Sequence, residues 1–243
     1  QDAAFLLAGL RRDGRLLRTF KDGRAKLNGY LEDYAALAAG LLALYETTYE
    51  PRWFAEARAL AEIMLQHFWD GAEGGFFNTS DDHEALINRP KDLFDNAVPA
   101  GNSMAVEVLL RLSALSGVGL YAERAERTLQ GLSGVIGRAP GAFGRLLAAL
   151  EFLLATPTEV AIAGDPNAPD TQALLDVVGG AYLPTTVTAV TRPGAVEAGI
   201  ALLEEREPVD GAAAAYVCER FACRRPVTTP EELAAGLGLG SAT

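Results

Sequence analysis

Apolar residues recur at steps of three and four through most of the first 155 residues. This spacing places them along one side of a helix, so it predicts amphipathic helices. The predicted helices cover residues 29–49, 52–69, 97–117, 120–136 and 142–154. Glu50-Pro51 separates the first two helices, and a Gly-rich run at 70–75 ends the second. Residues 3–7 are typical of the middle of a buried helix and the chain opens on Gln1, so we expect further residues upstream.

An internal repeat groups these helices into hairpins. Residues 41–44 (LLAL) match residues 109–112 (LLRL), and residues 53–57 match residues 121–125 at the same offset. Repeated helical hairpins must stack, because none can bury its apolar face alone. They form an open solenoid or a closed ring. The long polar connection at 80–96 favours a ring whose loops lie at one end.

After Thr156 the pattern changes to alternating strands and helices. A buried strand at 159–164, a helix at 170–182 and a β-branched strand at 185–190 predict a parallel, right-handed β-α-β unit. Residues 214–218 are a candidate third strand. Thr229 is a good N-cap for a short helix that opens with Pro230. We therefore predict a helical-hairpin domain over 1–155 and a C-terminal α/β segment over 156–243.

Charge and composition exclude several classes of partner. The net charge is −11, the pI is about 4.7, and 49% of the residues are hydrophobic. Clustered Lys and Arg are needed to bind nucleic acid or an anionic membrane surface, so we expect neither. No apolar run reaches the length of a membrane helix, and no signal peptide is visible. With only two cysteines, a reducing cytoplasm is the expected location.

Two segments are candidates for chemistry at the helix starts. The adjacent carboxylates Glu32 and Asp33 either stabilise the positive end of a helix or act as a general acid or base, or bind a polyol, at the mouth of a ring. The polar stretch 95–103 either caps and packs the next helix or lines the central cavity. Its candidate residues are Asp95, Asn96, Asn102 and Ser103. The repeat offset aligns residues 101–103 with residues 33–35, which puts both segments at equivalent helix ends.

The cations and aromatic rings near these segments could either bind a ligand or have a structural role. Arg89 and Lys91 could clamp an anion, or they could pair with nearby acids. Tyr34, Phe76 and Phe77 could stack on a sugar ring, although aromatic residues at helical spacing more often lie in a core. Phe76 and Phe77 are the better stacking candidates because they are predicted to lie in a short extended loop.

The cysteines and histidines give weaker signals. Cys218 and Cys223 could form a disulfide if the intervening loop turns back, or they could be two reduced, partly buried thiols. His67 and His83 are the only histidines, and no group of His, Cys and carboxylate residues has the spacing of a structural zinc site. We therefore predict no metal and no cofactor.

The ordered set of motifs resembles the thioredoxin-domain-containing proteins related to spermatogenesis-associated protein. The segments that carry the resemblance are residues 13–16, 22–24, 29–35, 74–77, 89–91, 95–103 and 215–218, with Cys223 and Pro226. Asn28 and Ala100 depart from the pattern, where Pro and Ser are expected. The resemblance implies an N-terminal thioredoxin-like domain, absent here. It also implies an (α/α)6 toroid similar to that of N-acylglucosamine 2-epimerases and six-hairpin glycosidases.

Two functions follow as hypotheses. In the first, the chain supplies the later hairpins of the toroid, whose cavity binds or processes a carbohydrate-like molecule. Its polar wall would be Glu32, Asp33, Asp95 and Asn102, and half a toroid alone should be inactive. In the second, the chain is a non-enzymatic module that presents clients to the thioredoxin-like domain. Both expect the missing N-terminal half, with its first hairpins, as a partner.

Overall fold

The chain is mostly α-helical with two small sheets, in a computed structural model that describes residues 1–83, 88–192 and 194–240. The helices are α1 (Asp2–Gly9), α2 (Leu31–Thr48), α3 (Pro51–His67), α4 (Gly101–Ser116), α5 (Gly119–Ile136), α6 (Gly144–Leu154), α7 (Pro169–Gly179) and α8 (Pro230–Gly236). The strands are β1 (Arg11–Arg12), β2 (Arg15–Lys21), β3 (Arg24–Asn28), β4 (Thr158–Ala163), β5 (Thr186–Val190), β6 (Ala214–Glu219) and β7 (Ala222–Cys223). Part of the predicted connection at 80–96, residues 84–87, lies outside the described residues.

The predicted helices are confirmed to within a few residues at each end.

The prediction of a buried helix at residues 3–7 is wrong in one respect. A helix is present at 2–9, but none of its residues is buried. The ring of Phe5 is half-exposed and meets the ring of Phe20 edge-on, with their centroids 5.1 Å apart. In this chain, α1 therefore contributes no buried core residue.

The pattern of apolar residues missed a three-stranded antiparallel sheet, β1-β2-β3, at residues 11–28. Asp13-Gly14 and Asp22-Gly23 form its two turns, with φ between +50° and +79° at all four residues. Such Asp-Gly pairs fit the tight turns that match the twist of a hairpin. The strands carry mostly exposed side chains, so they lack the alternation of buried and exposed residues by which strands are recognised.

The chain divides into two compact units. The first consists of residues 1–43, 56–110 and 120–150, and the second of residues 44–55, 111–119 and 151–243. The first unit buries large side chains such as Tyr34, Phe68, Leu109, Tyr121 and Phe143. In the second unit, Val160, Ile162, Leu174, Val190 and Val217 form the core of the sheet and its helices.

The C-terminal sheet has the strand order β5-β4-β6-β7. β4 and β5 are parallel neighbours joined through α7, which confirms the predicted β-α-β unit. β6 is the predicted third strand and pairs antiparallel to β4. The Thr229 hydroxyl accepts a hydrogen bond from the Glu232 amide, so the predicted N-cap of α8 is confirmed.

Within the described residues, no helix combines the length and the apolar character that a membrane span requires.

Candidate functional site

The starts of α2 and α4, which the repeat offset predicts to be equivalent helix ends, lie against each other. A β-carbon added to Gly101 would lie 3.0 Å from Cδ2 of Leu31 and 3.1 Å from the amide nitrogen of Glu32. Only glycine allows this approach without displacing a neighbour. Two equivalent helix ends are therefore brought together at one place in the first unit.

A small polar pocket opens at this contact. We call it the helix-start pocket; its volume is about 90 Å³, and it is lined by Tyr30, Glu32, Asn78, Asp92 and Gly101. Its lining thus includes two acids, one asparagine and one tyrosine. Such groups can accept and donate several hydrogen bonds to a hydroxylated molecule.

Two asparagines hold the loops that form this pocket. The Asn78 carbonyl accepts a hydrogen bond from the Leu31 amide (2.9 Å), and its side-chain oxygen accepts one from the Asp92 amide (2.7 Å). Asn102, fully buried on α4, donates to the carbonyl oxygens of Asp92 and Phe76 and accepts from the Phe76 amide. The main chain of Asp92 is therefore fixed on both sides, and Asn102 positions the pocket rather than lining it.

The carboxylates of Glu32 and Asp33 share one cation. Arg18 forms ion pairs with Glu32 (2.6 Å) and Asp33 (3.0 Å), and its guanidinium lies 4.6 Å from the centre of the Tyr30 ring. The Asp33 carboxylate also accepts a hydrogen bond from the Tyr30 amide, which caps α2. Burial raises the pKa of Asp33, against the lowering effects of that amide and of Arg18. Asp33 therefore has a structural role, while Glu32 lines the pocket.

The structure gives Asp95 a capping role. One carboxylate oxygen accepts a hydrogen bond from the Ala100 amide, and the other accepts from the amides of Arg145 and Leu146 at the start of α6. These amides would otherwise lack partners, because the first turn of a helix has no intrahelical acceptors. Asp95 does not line the helix-start pocket, and its contacts are those of a helix cap.

The predicted stacking and anion-binding residues are engaged within the protein. Phe76 is fully buried against Trp69, so it cannot offer its ring to a ligand. The centre of the Phe77 ring lies 4.3 Å from the Arg89 guanidinium and 5.1 Å from the Lys91 ammonium group. Arg89 donates to the carbonyl oxygens of Thr79 and His67. Arg89 thus binds main-chain oxygens, whereas Lys91 pairs with an acid, which is the alternative that the sequence offered for both cations.

Lys91 forms the tightest of these pairs. Its ammonium nitrogen lies 2.6 Å from a carboxylate oxygen of Asp70 and 2.8 Å from the Gly74 carbonyl oxygen. The hydrogen bond from Lys91 is the chief reason why the pKa of Asp70 falls to about 2. This pair fixes the loop that carries the Gly-rich segment 74–75.

The remaining predicted residues are dispersed. Tyr34 is buried, and its hydroxyl accepts a hydrogen bond from the Leu16 amide (2.8 Å). Asn96 is exposed, and its side-chain amide lies 3.4 Å from the Phe94 carbonyl oxygen. Ser103 is fully buried in α4, and its hydroxyl finds no hydrogen-bond partner in the described part of the chain. None of the three lines the helix-start pocket.

A larger apolar cleft borders the same carboxylates. Its volume is about 820 Å³, and its lining includes Leu6, Leu17, Leu37, Val98 and Met104, with Arg18, Glu32 and Asp33 at its polar margin. Glu32 therefore lines both spaces.

Three residues of this region were not identified from the sequence: Arg18, Asn78 and Asp92. Contacts between distant parts of the chain bring them to the helix-start pocket. Only Asp92 follows a motif that the sequence singled out, the Arg-Pro-Lys segment at residues 89–91.

The structure also places the two cysteines and the acidic group around His67. Cys218 and Cys223 are bridged, because the chain turns back after β6 and pairs them across β6 and β7. In the first unit, His67, Asp81 and Asp82 lie close enough together to surround an ion. However, Asp82 binds Arg15 through both oxygens and Asp81 lies 2.7 Å from the His67 ring, so these acids already have partners.

Comparison of the sequence with known proteins finds several similar proteins. It is 35% identical to spermatogenesis-associated protein 20 of Rattus norvegicus over 209 residues, and 34% identical to that of Homo sapiens over 232 residues. These alignments cover 84% and 90% of the chain. The chain is a relative of spermatogenesis-associated protein 20. An uncharacterized protein of Caenorhabditis elegans is 26% identical over 214 residues, 88% of the chain.

The relationship covers only part of each relative. The chain spans 26% of the length of the rat spermatogenesis-associated protein 20 and 30% of that of the human protein. No protein-family model matches the chain. The name of these relatives describes an association with spermatogenesis and states no reaction or ligand, so function must be argued from the site.

Proposed function

We propose that the helix-start pocket binds a carbohydrate-like ligand through its hydroxyl groups. The observation that carries this proposal is the convergence of Glu32, Asp92, Asn78 and Tyr30 on one small space. Carboxylates accept hydrogen bonds from vicinal hydroxyls, and the amide both donates and accepts. The pocket, at about 90 Å³, fits one hydroxylated edge of a sugar ring, rather than the whole ring.

The adjoining apolar cleft supports the same ligand class. A sugar ring has a polar rim and a face of C–H groups, and binding sites for such molecules combine a few polar groups with an apolar surface. Glu32 lines both the pocket and the cleft, so one ligand can touch both. We further propose that the pocket lies at the mouth of an (α/α)6 toroid, to which this chain contributes later hairpins. The contact of Gly101 with Leu31 supports this arrangement.

Calorimetric titration tests the proposal. The chain is titrated with glucose, mannose and N-acetylglucosamine, and with a Glu32→Gln, Asp92→Asn double variant in parallel. The residues that line the pocket all belong to the first unit, so we expect binding by the chain alone, although turnover would need the rest of the toroid. At least one sugar should bind the unaltered chain, and the double variant should bind it at least tenfold more weakly. Glu123→Gln is the matched control, because Glu123 is an exposed acid on α5 whose neighbour is Arg124.

The same titration separates this proposal from the alternative predicted from the sequence. A module that only presents protein clients would bind none of these sugars. Equal affinity of the double variant and the control would also contradict the proposed pocket, because the sugar would then bind elsewhere.

A further inference from the structure

Three chemically distinctive side chains form a row across the C-terminal sheet. Glu159 of β4 lies directly opposite Cys218 of β6, and Cys218 lies directly opposite Cys223 of β7. Side chains that face each other across antiparallel strands project from the same face, with β-carbons about 5 Å apart. A carboxyl group therefore lies beside the bridged sulfurs, on the face opposite to Val160 and Val217.

The two sulfurs differ in access. Cys218 is 1% exposed, whereas Cys223 is only half-buried at the edge of the sheet. A thiol approaching from solvent can therefore reach Cys223, while Cys218 is the sulfur shielded by the protein. Such an asymmetry assigns the attacked sulfur and the leaving sulfur of a disulfide exchange reaction.

Glu159 is a buried acid with no cationic partner in the described part of the chain. Its side chain is 4% exposed, and its carboxylate accepts a hydrogen bond of 2.7 Å from the Phe221 amide. Burial raises the pKa of Glu159 more than that hydrogen bond lowers it. A buried carboxyl group that keeps its proton longer than usual can give it to a neighbouring thiolate.

The turn between the two cysteines is held in an unfavourable conformation. Arg220 and Phe221 have φ of +51° and +63°, in the left-handed region that residues with a side chain rarely adopt. The bridge, the hydrogen bond to Glu159 and the packing of the Phe221 ring on Gly117 together keep the turn closed. Opening of the bridge removes one of these three restraints, so the redox state of the pair is coupled to the turn.

We propose that Cys218 and Cys223 form a thiol–disulfide exchange site in which Glu159 donates a proton to, and accepts one from, the buried sulfur. A thiolate of the co-reactant attacks Sγ of Cys223 and forms a mixed disulfide. The bond between Cys223 and Cys218 breaks, and its electron pair goes to Sγ of Cys218, which takes the proton of Glu159. A second co-reactant thiolate then attacks the co-reactant sulfur of the mixed disulfide, the bond from that sulfur to Sγ of Cys223 breaks, and Cys223 leaves as a thiolate. The co-reactant disulfide departs, and Cys223 and Glu159 regain from solvent the two protons that the co-reactant thiols lost on ionisation.

The co-reactant is a thiol, either a small monothiol or a dithiol. Oxidised chain is incubated with glutathione or with dithiothreitol under native conditions, quenched with an alkylating reagent and weighed by mass spectrometry. We expect both cysteines to become alkylated, and Glu159→Gln to slow this about tenfold. Glu219→Gln is the matched control: Glu219 is exposed, adjoins Cys218 in sequence and pairs with Arg224. Reduction by glutathione identifies small monothiols as co-reactants, and reduction by dithiothreitol alone identifies a dithiol.

A second experiment does not depend on the Glu159 variant. After incubation with oxidised glutathione, Cys218→Ser should carry one glutathione on Cys223, and Cys223→Ser should carry at least tenfold less on the buried Cys218. The proposal is overturned if the bridge is reduced only after denaturation, which would make it a purely structural bridge. Equal rates for Glu159→Gln and Glu219→Gln, or equal adducts on the two serine variants, would also overturn it.

Discussion

Gly101 packs directly on Leu31: a β-carbon at position 101 would lie 3.0 Å from Cδ2 of Leu31. The amide nitrogen of Glu32 would be only 3.1 Å away. This contact brings the starts of α2 and α4 together, and with them the polar residues of the helix-start pocket. The pocket therefore depends on the absence of one side chain.

Gly101→Ala is the first prediction. The added methyl group must displace Leu31 or the start of α2, and overpacking of this kind costs about 1–3 kcal/mol of unfolding free energy. Urea denaturation measures the loss. Gly119→Ala is the matched control, because Gly119 also begins a helix but has open space around its α-carbon. The control should leave the free energy of unfolding unchanged or raise it by up to about 0.5 kcal/mol, because alanine reduces the entropy of the unfolded chain. Equal losses of unfolding free energy in the two variants would contradict the contact of Gly101 with Leu31.

Asp95→Ala should destabilise the chain without weakening ligand binding. Three amides lose their acceptor, including two at the start of α6, and loss of a helix cap costs about 1–2 kcal/mol. Thermal or urea unfolding should show this loss, while the affinity for a sugar that binds the unaltered chain should stay within twofold. A large loss of affinity in folded protein would instead return Asp95 to the binding site.

Lys91→Met should destabilise the chain at neutral pH and much less in acid. Asp70 is paired with Lys91, and loss of the ammonium group leaves this shielded carboxylate without its chief hydrogen-bond donor, at a cost of about 1–3 kcal/mol. The folded-state pKa of Asp70 is lowered to about 2, so the stability from this carboxylate is present above its ordinary value of 3.8 and is lost as the pH falls towards 2.

Urea unfolding at a series of pH values checks this sign. The difference between unaltered chain and Lys91→Met should be full at pH 7 and should shrink between pH 4 and pH 2. Lys21→Met removes a positive charge from an exposed position and serves as the control. A difference that stays constant with pH would show that the pair with Asp70 is not its origin.

Glu159→Gln should have the opposite dependence on pH. Burial raises the folded-state pKa of Glu159 above its ordinary value of 4.5, so the folded state binds this proton more tightly than the unfolded state. Stability from the site is therefore greatest below pH 4.5 and falls as the pH rises through the raised pKa. The variant should match the unaltered chain at pH 4 and be the more stable of the two at pH 8. Unfolding midpoints that differ equally at both values would contradict this account.

The sequence predicted the helices and the equivalence of two helix starts, because both follow from local or repeated patterns; the contact between the two starts comes from the structure. The period of apolar residues identifies α2 to α6, and the constant offset between hairpins aligns residues 33–35 with 101–103. The first sheet was missed for a physical reason: most of the side chains of β2 and β3 are exposed, so no buried face marks them. Its Asp-Gly turns were the available signal.

The candidate site was only partly predictable. Glu32 was identified from its place at a helix start, but Asp92 and Asn78 come from loops whose positions are fixed by hydrogen bonds to distant residues. Phe76 is a residue that the sequence placed in the site but the structure buries. An aromatic residue in a loop predicts an accessible ring, yet Asn102 binds both main-chain polar groups of Phe76, which allows the ring to be fully buried.

The most direct test of the central claim is a titration followed by amide NMR. The claim is that a hydroxylated ligand binds in the helix-start pocket. As N-acetylglucosamine, glucose or mannose is added to isotopically labelled chain, the amide signals of Glu32, Asp92 and Gly101 should shift in a saturable way. Those of Gly119 and Leu174, which lie outside the pocket, should stay unchanged. Saturable shifts confined to other residues, or none with any of the three sugars, would contradict the claim.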